Sequence, residues 1–418
     1  MLVTAIVISI IFFALLGVPL FIIMALAALI SFSFAGIQTS AVAIEIFKMA
    51  NIPTLVSLPL FTLAGFMLAE SHSPARLLRF AKAAFGHLPG GTAIVGLIVC
   101  AFFTAFTGAS GVTIIAMGGL LYPILREQKF SDNFSLGLLT TCGSLGLLFP
   151  PSLPLIIYGV VGKVDIGDLF KAGILPGIVL IVIFSIWAMI KGKPVQVQKF
   201  SWTELRASFK ACLLEIILPI VVLVGIYGGF ITISEMATLT TLYVVIMEFV
   251  IYRDLKIKDF TPIVLDSMYL LGSILLILCC ALGFTNFLVD AEVPMKVLAV
   301  MKVYIHDRYT FLLFLNIFLL VIGALKDVFS AIIVVVPLIL PIAKDFGIHP
   351  VHLAIIFLTN LEIGYIAPPF GINLFIASAR FNKPITQMYK ASIPFLILSF
   401  IALMIITYVP FLSLAFLK

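Results

Sequence analysis

Two short stretches of this 418-residue chain put small and hydroxyl residues where a helix would have to turn: Thr107-Gly108-Ala109-Ser110-Gly111 and Gly323-Ala324-Leu325-Lys326-Asp327. Two others set glycines beside a double proline. They are Gly143-Ser144-Leu145-Gly146 leading to Phe149-Pro150-Pro151-Ser152, and Glu362-Ile363-Gly364-Tyr365-Ile366-Ala367-Pro368-Pro369-Phe370-Gly371. Proline lacks an N–H and clashes with the carbonyl one turn earlier, so two in succession unwind a helix. The freed carbonyls are costly in lipid unless protein or an ion satisfies them. A hairpin tip beside an unwound helix therefore offers backbone oxygens and hydroxyls that can cage a small cation.

Single residues within these stretches each have a functional and a plainer reading. Ser110, with Thr107, is an oxygen donor near an ion, or part of a small-residue turn that lets helices approach closely. The Gly-x-Ser-Gly pattern also suits an intramembrane serine nucleophile, which needs a histidine base. His72, His87, His306, His349 and His352 all fall in loops or at segment ends, so that base is missing. Asp327 is an ionisable residue in an apolar region, which is expensive and marks a cavity or a partner. It serves an ion or substrate path, pairs with Lys326, or, like Glu362, is the titrating group of a proton-coupled or passive transporter. Glu362 either titrates or accepts hydrogen bonds from exposed N–H groups. Asn360 and Asn373 orient a substrate or cap helix ends. Arg380 binds a substrate carboxylate bidentately or anchors a helix at the interface. Ser152 completes the path.

The elements that must hold these residues are set by hydropathy. The chain is 63% hydrophobic with mean hydropathy +1.27, and 11% charged. Soluble domains carry about 25% charged residues. Runs 1–44, 88–125, 133–162 and 391–417, among others, hold no charge, and about 20 apolar residues span a bilayer as a helix. The first run lacks a basic flank and is too long for a signal peptide core, so it reads as a retained helix. Basic residues gather between apolar runs, as Arg76, Arg79 and Lys82, as Lys191, Lys193 and Lys199, and as Arg253, Lys256 and Lys258. Membrane loops carry charge in this way, and nucleic acid is no partner for it. Cys100, Cys142, Cys212, Cys279 and Cys280 follow no disulfide or metal spacing. Phosphate-loop, dinucleotide and metal-ligand patterns are missing too, so energy must come from a gradient or a partner.

The chain also matches itself when shifted by 218 residues. Gly65-Phe66 meets Gly283-Phe284, Pro123-Ile124 meets Pro341-Ile342, Thr141 meets Thr359, Gly146 meets Gly364, Pro150-Pro151 meets Pro368-Pro369 and Pro176 meets Pro394. Duplicated halves with broken helices are the plan of secondary transporters, with the site near the midplane. The arms flanking the first tip read as about 14 residues, near 21 Å at 1.5 Å per residue, too short to cross a core of about 30 Å. Re-entrant hairpins are the expectation. In the linker, Ser201-Trp202-Thr203-Glu204 is a capping-box pattern. Leu205, Phe209 and Leu213 then form a stripe expected to lie on the membrane surface.

The stretches Phe106 to Thr113, Gly143 to Ser152 and Asn360 to Asn373 resemble the large membrane subunit of the tripartite ATP-independent periplasmic (TRAP) transporters, over the whole chain. The resemblance implies an all-α integral membrane protein of two inverted repeats with re-entrant hairpins, of the elevator type, multi-pass in the bacterial inner membrane. It implies a sodium-coupled importer of a small organic acid anion and no enzyme. A periplasmic substrate-binding protein and a small four-helix membrane subunit are the implied partners. Sodium would be held by Thr107, Gly108, Ser110, Gly111, Gly146 and Pro150 in one half, and by Gly323, Asp327, Gly364, Ala367 and Pro368 in the other. Members often carry threonine where this chain has Ala367, which leaves a carbonyl there rather than a side chain. Substrate would pass Ser152, Asn360, Glu362, Asn373 and Arg380. The domains expected are 1–50 (scaffold helix), 51–192 (first repeat, hairpin 91–126, broken helix 133–162), 193–266 (linker with an amphipathic arm) and 267–418 (second repeat, hairpin 309–344, broken helix 353–381).

Overall fold

The computed structural model describes residues 18–34, 51–191 and 200–417, with a few positions between 36 and 47. Most of the expected N-terminal connector and the linker's start, with Lys193 and Lys199, lie outside the described residues. All described regular structure is helical. In chain order the helices are α1 (Leu20–Phe34), α2 (Ser57–Glu70), α3 (Ser73–Phe85), α4 (Gly91–Thr107), α5 (Ser110–Glu127), α6 (Asp132–Cys142), α7 (Leu153–Gly162) and α8 (Ile166–Lys191). There follow α9 (Trp202–Ala211), α10 (Leu213–Tyr227), α11 (Ile233–Val245, running into a π-turn at Ile246–Ile251), α12 (Ile257–Asp290) and α13 (Val293–Tyr304). The last are α14 (Arg308–Leu325), α15 (Val328–Asp345), α16 (Pro350–Gly364), α17 (Ile372–Phe381), α18 (Ile385–Tyr408) and α19 (Phe411–Leu414). Among the described residues seven helices are long and apolar enough to cross a membrane, or up to nine if each bent pair is one span.

The order of elements repeats: a long helix, a short arm helix (α3; α13), a helical hairpin (α4–α5; α14–α15), an interrupted helix (α6–α7; α16–α17) and a closing helix (α8; α18). The hairpin arms are longer than the sequence suggests, 17 and 18 residues in the first and 18 each in the second. That is about 27 Å for 18 residues, so length alone does not make them re-entrant. The charged flanks mislead: helical winding runs on through Arg126 and Arg308. The halves interlock, with α5 against α17, α15 against α7 and α6 against α18.

Arg76 and Arg79 are not loop charges but lie on α3. The Arg76 guanidinium bonds to Glu215 and Asp254, lies 3.4 Å from Glu248, and stacks over the Tyr252 ring at 3.9 Å. Glu215 and Glu248 are fully buried. In the connecting loop, burial pulls the Asp254 carboxyl upward, but the hydrogen bond and charge of Arg76 outweigh it and hold the group below its usual range. The linker helix α9 also departs from expectation. Ser201 caps it by accepting from Glu204 N, but the Glu204 carboxylate goes to Arg79, so the capping box is not closed. Phe209 meets Phe80 at 5.7 Å, so part of its stripe covers α3 rather than lipid.

Candidate functional site

The first tip is closed and buried. Helix α4 ends at Gly108, whose φ of 64° is left-handed and suits glycine. A Cβ there would overlap Leu153, the first residue of α7, so the tip rests on the helix that resumes after the first break. Gly146 lies in a short 3-10 turn inside the break, and a Cβ on it would strike the backbone of Ala101 and Ala105 in α4. Thr104 Oγ1 lies 2.9 Å from both Gly143 O and Cys100 O and 2.8 Å from Thr113 Oγ1, so a hairpin hydroxyl stands within hydrogen-bond reach of the carbonyl at the start of the break as well as of one in its own helix. Thr107, Pro150 and Ser152 are buried, and Ser152 Oγ donates to Leu147 O. Thr107 Oγ1 stands 3.5 Å from the Ala109 backbone, and Gly111 packs on Ile376 of α17.

Ser110 reaches into the other half. Its Oγ donates to Asn373 Oδ1 at 2.7 Å, and Asn373 Nδ2 donates to Thr140 O at 3.2 Å. Asn373 therefore ties the first tip and α6 to the start of α17. The serine's partner is an amide, so nothing here activates it as a nucleophile. Arg380 lies on the same seam, donating from Nε to Ile115 O at 2.9 Å, with its guanidinium where a side chain on Gly119 would stand.

At the second tip Gly323 and Gly364 are in backbone contact. A Cβ on Gly364 would overlap Gly323 itself, and one on Gly323 would meet Leu361. Asp327 and Lys326 form no ion pair. The Asp327 carboxylate instead caps α15 by accepting from Ser330 N at 2.9 Å, and Lys326 is exposed. Tyr365 Oη accepts from Val328 N at 2.7 Å and so holds the tip to the break. The Ala367 carbonyl accepts from Gly371 N, with one lone pair left over. Pro368, Pro369 and Phe370 are exposed, unlike Pro150 and Pro151. Both double-proline bonds are cis.

On the final turns of α6 and α16, just before the breaks, three buried oxygens have no hydrogen-bond partner among the described residues: Thr141 Oγ1 in the first half, Asn360 Oδ1 and Glu362 Oε1 in the second. Asn360 Nδ2 donates to Asn316 Oδ1 at 2.8 Å, and Asn316 Nδ2 to Thr407 Oγ1 at 3.2 Å. Fully buried His352 continues the chain to Thr407 O and Ser413 Oγ, so it is a core residue rather than a loop one. Thr104, Tyr365 and Asn316 are working contacts that sequence reasoning missed. For Thr104 and Asn316 the signal was a polar group one or two turns from a tip in an otherwise apolar run, whereas Tyr365 stands in the second break itself.

Residues 7–412 match the family described as Tripartite ATP-independent periplasmic transporter, DctM component. The chain is 32% identical, over 91% of its own length and 90% of the relative's, to the C4-dicarboxylate TRAP transporter large permease protein DctM of Pseudomonas aeruginosa. It is 30% identical, over 93% and 92%, to the ectoine TRAP transporter large permease protein TeaC of Halomonas elongata. It is 33% identical to the isethionate TRAP transporter permease protein DctMQ of Oleidesulfovibrio alaskensis, covering 95% of this chain but 64% of that longer one. The solved YdaH transporter of Alcanivorax borkumensis shares the fold at a TM-score of 0.62, with 12% identity over 90% of this chain and 88% of that one.

Proposed function

The chain belongs to the DctM component family of tripartite ATP-independent periplasmic transporters, and from that premise we propose that it imports a small organic anion across the bacterial inner membrane, coupled to sodium, by an elevator motion. As a member it is a multi-pass transport subunit and not an enzyme. The observation that carries the proposal is the repeated one. Each half presses a glycine of the broken helix onto the backbone of its own hairpin and, among the described residues, has at least one buried side-chain oxygen just before that break without a donor. Oxygens of that kind suit a hard cation, which accepts oxygen ligands and gives no hydrogen bond back. Sodium at Thr107–Gly111 with Gly146–Pro150, and at Gly323–Asp327 with Gly364–Pro368, would neutralise the anion held between the tips. Crossing half-loaded would carry uncompensated charge through lipid, which is costly, and that difference couples the two flows. Asn373 and Arg380, already turned toward the first hairpin, would supply donors to the anion.

Relatives are named for dicarboxylate, ectoine and isethionate, so the substrate class here extends no further than a small organic solute, an acid anion by our reading. The implied partners are the small membrane subunit and a periplasmic binding protein, and the longer DctMQ relative is consistent with the first. A second reading, proton coupling through Glu362, is favoured by the burial of that carboxyl and its unpartnered Oε1. Proteoliposomes holding this chain and its small subunit, with binding protein and ligand outside, separate the two. Uptake that requires an inward sodium gradient at fixed pH, and falls in Ser110→Ala and Asp327→Ala, supports sodium coupling. Uptake indifferent to sodium that follows a pH gradient and is lost in Glu362→Gln overturns it.

A further inference from the structure

The arms of the first hairpin pack along each other, with α3 laid against α4; the arms of the second make little contact, and α13 rests on α15 rather than on α14. The space left between α13, α14 and α15 is a groove of about 370 Å³ walled by carbon. Val297 and Met301 form one side, Phe314 and Phe318 the second, Leu338 and Ile342 the third. It opens outward: Val297, Phe314 and Phe318 are each more than two-fifths exposed. Their exposed neighbours Val300, Val303, Ile317 and Val321 make the same surface apolar. On a membrane-spanning chain the medium against such a surface is hydrocarbon. A dry void of this size would forfeit dispersion contacts on every wall.

One end of the groove is charged. Phe311 and Ile342 sit near the base of the hairpin, where α14 begins and α15 ends. Lys302, Arg308 and Lys344 lie at that base. Lys302 Nζ meets Asp345 Oδ2 at 2.5 Å, while Arg308 and Lys344 have no carboxylate partner among the described residues. The Asp307 carboxylate caps α14 and keeps its charge, so three cations face two carboxylates at this base. We infer that the groove is a phospholipid site, with one acyl chain between α13, α14 and α15 and an anionic headgroup phosphate at Arg308, Lys344 and Lys302. The chain then fills the volume that the first half fills by packing α4 on α5, and holds α13 away from α14.

The test uses the full chain with its small subunit, in vesicles of phosphatidylcholine containing phosphatidylglycerol whose acyl chain bears a photoreactive diazirine. Cross-links should concentrate on peptides spanning 293–318 and 338–342. Val297→Trp, which fills the mouth without touching the tips, should cut them about tenfold, while labelling elsewhere is unchanged. Removing Arg308 or Lys344 charge (Arg308→Gln, Lys344→Gln) should weaken phosphatidylglycerol labelling about fivefold per charge and leave labelling by the phosphatidylcholine probe alone. Labelling spread evenly over other exposed apolar faces such as Ile220 and Val224, or unchanged in Val297→Trp, overturns the site. Equal labelling by the two probes, unaffected by the glutamine variants, overturns the headgroup assignment. Retained subunit association and thermal midpoint in each variant show that it is folded.

Discussion

The two halves share an order of elements and differ in how tightly it is closed. In the first, the tip is buried, the hairpin arms pack on each other, a threonine hydroxyl reaches the carbonyl at the start of the break, and Asn373 bonds the tip across to the other half. In the second, Leu325, Lys326 and Pro368–Phe370 are exposed, the arms stand apart, and above the buried Gly323–Gly364 contact the side-chain bonds at the tip are one tyrosine hydroxyl and the capping carboxylate of Asp327. The arm helices follow suit. α3 is fixed by Arg76 among three carboxylates, α13 by the half-exposed Lys302–Asp345 pair. A duplicated topology does not impose equal rigidity, because rigidity comes from side-chain contacts outside the repeated motif.

The widest predicted gap between the halves lies at these arms. Arg76→Ala strands buried Glu215 and Glu248 and should cost about 3–5 kcal/mol, whereas Lys302→Ala should cost about 0–1 kcal/mol, as exposed pairs do. Thermal unfolding of the purified complex would show it, and equal losses would erase the contrast. Next come the glycines. Gly146→Ala drives a methyl into the α4 backbone and should cost about 1–3 kcal/mol or more. Gly364→Ala meets an equally close backbone, that of Gly323, and both glycines are buried, so its stability loss should be similar, with sodium-dependent uptake falling too. A clearly smaller loss for Gly364→Ala would mean that the second tip can shift where the first cannot.

Ser110→Ala leaves the Asn373 carbonyl buried without its donor, at about 1–3 kcal/mol. Asp327→Ala removes a cap, at about 1 kcal/mol. Chemical denaturation of the two variants side by side should rank them in that order. The smallest effect concerns acid. Because Asp254 is held below its unfolded value, its contribution is present above the unfolded pKa and is lost as pH falls through the lower folded one. Asp254→Asn should therefore flatten the decline of the thermal midpoint below about pH 4 without changing the Lys302 arm.

Glu215 and Glu248 show what sequence reading missed. Each stands at the margin of an apolar run and looks like a solvated flank, and only the approach of α3 reveals that both are buried on one arginine. His352 misled in the same way, being three residues into α16 yet wholly enclosed by Thr407 and Ser413 from the far end of the chain. By contrast the breaks at Pro150–Pro151 and Pro368–Pro369, the turns at Gly108 and Asp327 and the duplication itself were legible without coordinates. Proline, left-handed glycine and capping carboxylate act on their own backbone within a turn, so residue type settles them. Nothing local says that Ser110 meets Asn373, or that one hairpin closes while the other parts around an apolar groove. Those outcomes depend on contacts between residues tens to hundreds of positions apart, and only the packing of the two halves decides them.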